Sequence, residues 1–176
     1  FDFAKESVEA PDENTLVKSF AKSYTTAGTF LHNPDLSTYA LMDQGIINGG
    51  DWYVAKGTFQ DWSYKETGCL DMTIEVSRRN PSTEAGVQQV FEYNRESLLA
   101  YIKKAGYGVH GQVKDSGDNP VAGVMVGISG GDIVTKTDSE GYYHRILLPG
   151  DYTLTFRHSD YNNLDEAVTV PDSADG

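Results

Sequence analysis

DSEGYYHRILLPGDYTL, residues Asp138–Leu154, decides the fold of the second part of this chain. Gly141 marks a tight turn after Asp138-Ser139-Glu140. An aromatic strand running from exposed to buried follows, and Leu148-Pro149-Gly150 then makes a corner that delivers Tyr152 to a core. The same texture extends on both sides. Short β-rich runs occupy Val109–Lys114, Val121–Ile128, Ile133–Thr137, Tyr142–Leu147, Tyr152–His158 and Ala167–Val170. Turn signals separate them: Asp115-Ser116-Gly117-Asp118-Asn119-Pro120, Gly130-Gly131-Asp132, Asp138-Ser139-Glu140-Gly141 and Pro149-Gly150-Asp151. Short strands at this spacing, divided by turn residues, predict a small all-β sandwich.

Ahead of residues 105–109 the pattern is different. Residues 11–25 predict a helix: Pro11 suits a first turn, Asp12 and Glu13 complement its positive end, and Leu16, Val17, Phe20, Ala21 and Tyr24 form one apolar stripe. A second helix is predicted over residues 87–105, with Val87, Val90, Phe91, Leu98, Leu99 and Ile102 as its stripe. Lys103 and Lys104 lie at its negative end and Gly106 is placed to cap it. Residues 26–68, punctuated by Gly28, Pro34, Gly45, Gly49, Gly50, Gly57 and Gly68, predict a long irregular region of the functional kind. Cys69 to Ser77 alternates as a strand. Leu70, Met72, Ile74 and Val76 share one face; Cys69, Asp71, Thr73, Glu75 and Ser77 share the other, which must line solvent or a site.

Composition narrows the function classes. The 176 residues carry 14 Lys+Arg against 26 Asp+Glu, a formal net charge of −12. Such a surface repels phosphate backbones, which argues against nucleic acid as a partner, and attracts cationic peptides. No run approaches the ~20 apolar residues of a membrane-spanning helix, so no transmembrane segment is expected. The single cysteine, Cys69, excludes an intrachain disulfide and a thiolate metal cage. Phe1-Asp2-Phe3-Ala4-Lys5 has neither the basic leader nor the apolar core of a signal peptide, and reads as the middle of a longer polypeptide.

The residues with chemistry lie in GIINGGDWYVAKGTFQDWSYKETGCLDMTIEVS, Gly45–Ser77. A tyrosine, Tyr53, follows a glycine-rich stretch, and a lone carboxylate, Glu75, sits on the alternating run. This suits an enzyme that closes a mobile phenol over a substrate and activates water with a fixed base. This stretch, the Asn94-Arg95/Leu98-Leu99 helix and Asp138–Leu154 follow one another as in the zinc metallocarboxypeptidases of the N/E subfamily, which the chain resembles over nearly its whole length.

The resemblance implies an α/β fold, the C-terminal part of a mixed-sheet carboxypeptidase domain at residues 1–107, followed by an all-β transthyretin-like sandwich at residues 108–176. It implies release of C-terminal Arg or Lys from peptides and proteins, in a secreted or cell-envelope setting. Glu75, in Thr73-Ile74-Glu75-Val76-Ser77, matches the catalytic general base, and Tyr53 the loop tyrosine that closes over the substrate. Gln60, seven residues beyond Tyr53, matches the floor of the side-chain pocket. Asp2 matches the acid that pairs with a basic side chain there, with Phe1-Asp2 resembling the end of a Tyr-Pro-Phe-Asp motif. The implied cofactor is zinc, but the family's His-x-x-Glu pair and third histidine have no counterpart here. His110, His144 and His158 belong to the sandwich. His32-Asn33-Pro34-Asp35 reads as a surface turn, because Pro34 breaks the helical geometry a ligand pair needs. Zinc ligands are therefore expected from a segment outside this chain, the N-terminal part of the catalytic domain. The alternative is a non-catalytic fragment or pseudoenzyme whose sandwich acts as a binding or structural module.

Overall fold

The computed structural model describes residues 11–28, 45–47, 49 and 54–172. It divides into two compact units. Among the described residues, one contains 13–28, 45–47, 49, 54–56 and 72–105; the other contains 57–71 and 106–172.

The first unit is helical. Helix α1 spans Pro11–Ala27, where Leu16, Phe20 and Tyr24 are buried as their i, i+4 spacing requires. Helix α2, Phe59–Thr67, lies in the other unit, and helix α3, Glu84–Lys104, belongs to this one. Thr83 caps α3 by accepting the amide of Gly86 at 3.1 Å, and Glu84 sits at its positive end. The Phe20 ring meets that of Tyr101 edge-on at 5.9 Å. The Lys104 ammonium lies 5.6 Å from the centre of the Phe20 ring and donates to both the carbonyl and the hydroxyl of Ser19. Burial holds this ammonium below its ordinary pKa. Gly28 ends α1 where the chain runs close to α3. A Cβ there would lie 2.0 Å from Ser97 Oγ, so a side chain at this position would force the two segments apart.

The face of α3 that packs overlaps only one edge of the predicted apolar stripe. Val87, Phe91, Leu99 and Ile102 are exposed, while Asn94 and Ser97 are buried, with Tyr93, Leu98 and Tyr101 half-buried around Tyr24. Leu98 of that stripe packs against Tyr24, and Asn94 beside it accepts the Tyr24 hydroxyl. The C-terminus also differs. Ala105, in right-handed helical geometry, closes α3 through its own amide, and Gly106 does not adopt the left-handed conformation of a capping glycine.

In the second unit, helix α2 spans Phe59–Thr67, within the region the sequence predicts to be irregular. The signal was short but present. Thr58 accepts the Asp61 amide at 3.2 Å and donates to the Asp61 carboxylate at 2.7 Å, a reciprocal N-terminal cap. Gly68, at φ 72°, then closes the helix in the left-handed conformation, its amide donating to the Tyr64 carbonyl at 2.9 Å. One helix of nine residues between two glycines is too brief for periodicity to reveal.

Six strands follow: β1 Val109–Gln112, β2 Met125–Ile128, β3 Thr135–Lys136, β4 Tyr142–Arg145, β5 Gly150–Arg157 and β6 Leu164–Val170. All six fall on the runs the sequence singles out. The β6 ladder begins three residues earlier than its apolar tail indicated, because backbone pairing to β5 continues through exposed Leu164–Glu166. The strands form an antiparallel pair β1-β4 and an antiparallel four-stranded sheet in the order β3-β2-β5-β6. Val121, Val124, Val126, Ile128, Leu147, Leu154, Phe156 and Val170 form the core, with Tyr143 and Tyr152 packed against it. Tyr143 of β4 meets Phe156 of β5 at 5.6 Å, edge to face, joining the two sheets.

The turn before β4 is built by Asp138, whose carboxylate accepts the amides of Glu140 and Tyr142, both at 2.9 Å. Gly141 there has φ 78°, and a Cβ would stand 2.6 Å from the Val113 carbonyl oxygen, so only glycine fits. Buried Thr137 donates its hydroxyl to the Val121 carbonyl at 2.7 Å and accepts the Val124 amide at 2.9 Å, pinning the segment that leads into β2. A similar carboxylate, Asp115, accepts the amides of Gly117 and Asn119 in the β1–β2 connection. Those hydrogen bonds hold its pKa below the usual carboxylate range.

Candidate functional site

Glu75 lies on the run Cys69–Ser77, which belongs to no helix and no β ladder among the described residues. This corrects the strand expected there: side-chain alternation alone cannot make a strand without a neighbouring backbone to receive its hydrogen bonds. What holds the segment instead is α3. Asn94, buried mid-helix, donates its amide to the Val76 carbonyl at 2.9 Å and to the Val90 carbonyl at 2.8 Å. Its Oδ1 accepts the Tyr24 hydroxyl at 2.8 Å. One side chain thus joins α1, α3 and the run carrying Glu75.

The apolar neighbour completes the placement. Ile74 packs half-buried against the Tyr24 cluster, directly before Glu75 in the chain. Glu75 is exposed, and Thr73 beside it is exposed as well. The result is a carboxylate on a short segment anchored by side-chain packing on one side and by a buried amide on the other. Asn94 was the residue missed from sequence. Its signal was a polar side chain interrupting the middle of an otherwise apolar helical stripe.

Burial raises the Tyr24 phenol to about 12 from the ordinary value of 10.0. Because this group keeps its proton in the folded chain when the unfolded chain has lost it, its contribution is whole below pH ~10 and disappears as pH climbs towards 12. Unfolding monitored between pH 9 and about 12 is expected to show this alkaline loss in the wild type. Tyr24→Phe, which has no titrating hydroxyl, should show a flatter profile over that interval together with a lower starting stability, since Asn94 loses a partner.

Of the other predicted site residues, Gln60 lies half-buried in the first turn of α2, in the second unit, whereas Glu75 belongs to the first. Tyr53 and Asp2 lie outside the described residues, as does the His32–Asp35 turn. Among the described residues no cluster of three or more His, Cys, Asp or Glu side chains is placed to hold a metal ion. These described residues offer no ligand set that fits a zinc centre. No helix among them is long and apolar enough to cross a membrane.

Comparison with known proteins matches residues 1–103 to the zinc carboxypeptidase family and residues 108–175 to the carboxypeptidase regulatory-like domain. The chain is similar to carboxypeptidase D of Drosophila melanogaster, with 34% identity over 164 residues, covering 92% of this chain and 12% of that protein. It is similar to the carboxypeptidase N catalytic chain of Rattus norvegicus, with 30% identity over 160 residues, 91% of this chain and 35% of the other. Carboxypeptidase Z of Gallus gallus is 31% identical over 172 residues, 95% of this chain and 26% of its own length. The chain therefore spans between 12% and 35% of the length of these relatives. With more than half of its residues matched by the first of these family models, and with helices followed by an antiparallel sandwich, the chain belongs to the zinc carboxypeptidase family.

Proposed function

We propose that this chain forms part of a peptide hydrolase that releases C-terminal arginine or lysine, with residues 1–107 contributing to the catalytic domain and residues 108–176 forming a transthyretin-like sandwich. The observation that carries the reading is the exposed Glu75, held between Ile74 and the Asn94–Val76 hydrogen bond, in a chain of this family. Glu75 takes a proton from the water that attacks the scissile carbonyl and returns it to the departing amine, so that no free amide anion has to leave. Tyr53 closes over the substrate, and the glycines around it, Gly49, Gly50 and Gly57, give that movement its hinge. Gln60 and Asp2 receive the basic side chain, a carboxylate opposite a guanidinium giving charge and geometry together.

The family implies zinc, and its ligands are proposed to come from polypeptide outside this sequence, consistent with the fraction of each relative that the chain covers. A secreted or cell-envelope location accompanies this reading, as do cationic peptide substrates, which the net charge of −12 favours. The test is substrate choice. The zinc-loaded polypeptide containing this sequence should release Arg or Lys from peptide reporters with kcat/KM at least about tenfold above matched reporters ending in Leu or Phe. Equal or reversed preference overturns the basic-residue assignment.

A further inference from the structure

We propose that His110 and His144 form a two-histidine site for a divalent first-row transition ion on the β1-β4 ribbon, separate from Glu75 and its segment. The two residues are register partners across the antiparallel pair, so both side chains rise from the same face directly opposite one another. Their ring centres are 6.3 Å apart, with the planes at 89°. A metal bound at ~2.0–2.1 Å by one nitrogen of each ring holds the ring centres roughly 5 Å apart in a tetrahedral site and roughly 4.5 Å apart as cis ligands of a square-planar one, so closure asks for a movement of about 1–2 Å. Both side chains are exposed and have the rotamer freedom for it.

His144 is already oriented. Its Nε2 lies 3.2 Å from the Tyr107 carbonyl oxygen. A carbonyl only accepts, so Nε2 carries the proton and Nδ1 presents the lone pair. This is the arrangement in which an outer carbonyl fixes the tautomer of a ligating imidazole. The alternating burial of β1 and β4 puts Gln112 and Tyr142 on the same exposed face, leaving water to complete the coordination. The chain's formal charge of −12 raises the local concentration of cations. Imidazole pairs suit Cu²⁺, Ni²⁺ and Zn²⁺, with Cu²⁺ held most tightly.

The test is titration of the 176-residue chain with CuCl₂, and separately ZnCl₂, in a non-chelating buffer, following the histidine ring protons by NMR. One equivalent of Cu²⁺ should broaden the His110 and His144 signals ahead of His158, and Zn²⁺ should shift the same two. His110→Asn and His144→Asn should each weaken Cu²⁺ binding by more than about tenfold, and His158→Asn should leave it unchanged. Uniform broadening of all histidines, wild-type binding by either of the first two variants, or loss in only one of them overturns the site.

Discussion

Glu75→Gln is expected to lower kcat for release of a C-terminal arginine by about 10²–10⁴-fold in the zinc-loaded polypeptide that contains this sequence, with KM changed far less. Glutamine keeps the size and polarity of the side chain but cannot take a proton from water, so the loss falls on the chemical step. The position makes the comparison clean. Glu75 is exposed and its neighbours do the anchoring, so the variant should unfold at the same temperature as wild type within the ~0.5 kcal/mol typical of surface substitutions. Single-turnover rates with a reporter ending in arginine, alongside thermal unfolding, give both readouts. An active Glu75→Gln enzyme would remove the general-base role. An inactive one that also unfolds early would show instead that the carboxylate is structural.

The largest stability effect is expected in the sandwich. Leu154, 2% exposed at the middle of β5, sits between Ile128 and Glu166 in the ladder and contributes its side chain to the core with Val126 and Phe156. Strand β5 is paired on both edges, so the backbone cannot readily collapse into the space a smaller residue would leave. Leu154→Ala should cost about 2–5 kcal/mol, the sum of lost burial and the cavity left behind. Against a domain stability of roughly 5–15 kcal/mol this is a substantial fraction, visible as a lower urea midpoint with little change in slope. Thr153→Ala, one residue away on the exposed face, is the control and should stay within ~0.5 kcal/mol. If the two variants unfold alike, Leu154 does not occupy the packed position described for it.

The proposed metal pair and the proposed base draw on different parts of the chain, and their tests do not interfere. Loss of Cu²⁺ binding in His144→Asn says nothing about Glu75, and Glu75→Gln leaves the β1-β4 face untouched. The family's own metal chemistry likewise does not depend on that ribbon, since its ligands are proposed to lie elsewhere.

Alternation, turn residues and helix ends are properties of a few consecutive side chains, and for this reason the sequence alone determined most of the architecture. Each of the six strands, the Asp138–Gly141 turn and helix α1 with its Leu16, Phe20 and Tyr24 face could be read directly, as could the family, from short runs in a fixed order. Tertiary structure decided what depends on a partner. How α3 is turned about its axis follows from what α1 presents to it, and so only one edge of the apolar stripe, with Leu98, packs among the described residues. Whether Cys69–Ser77 is a strand depends on a neighbouring backbone, which alternation cannot supply. The partners of Asn94 could not be read for the same reason: its place in the stripe marks it, but a buried amide takes its meaning from the Val76 carbonyl and the Tyr24 hydroxyl, distant in sequence and within hydrogen-bonding reach only once the chain has folded.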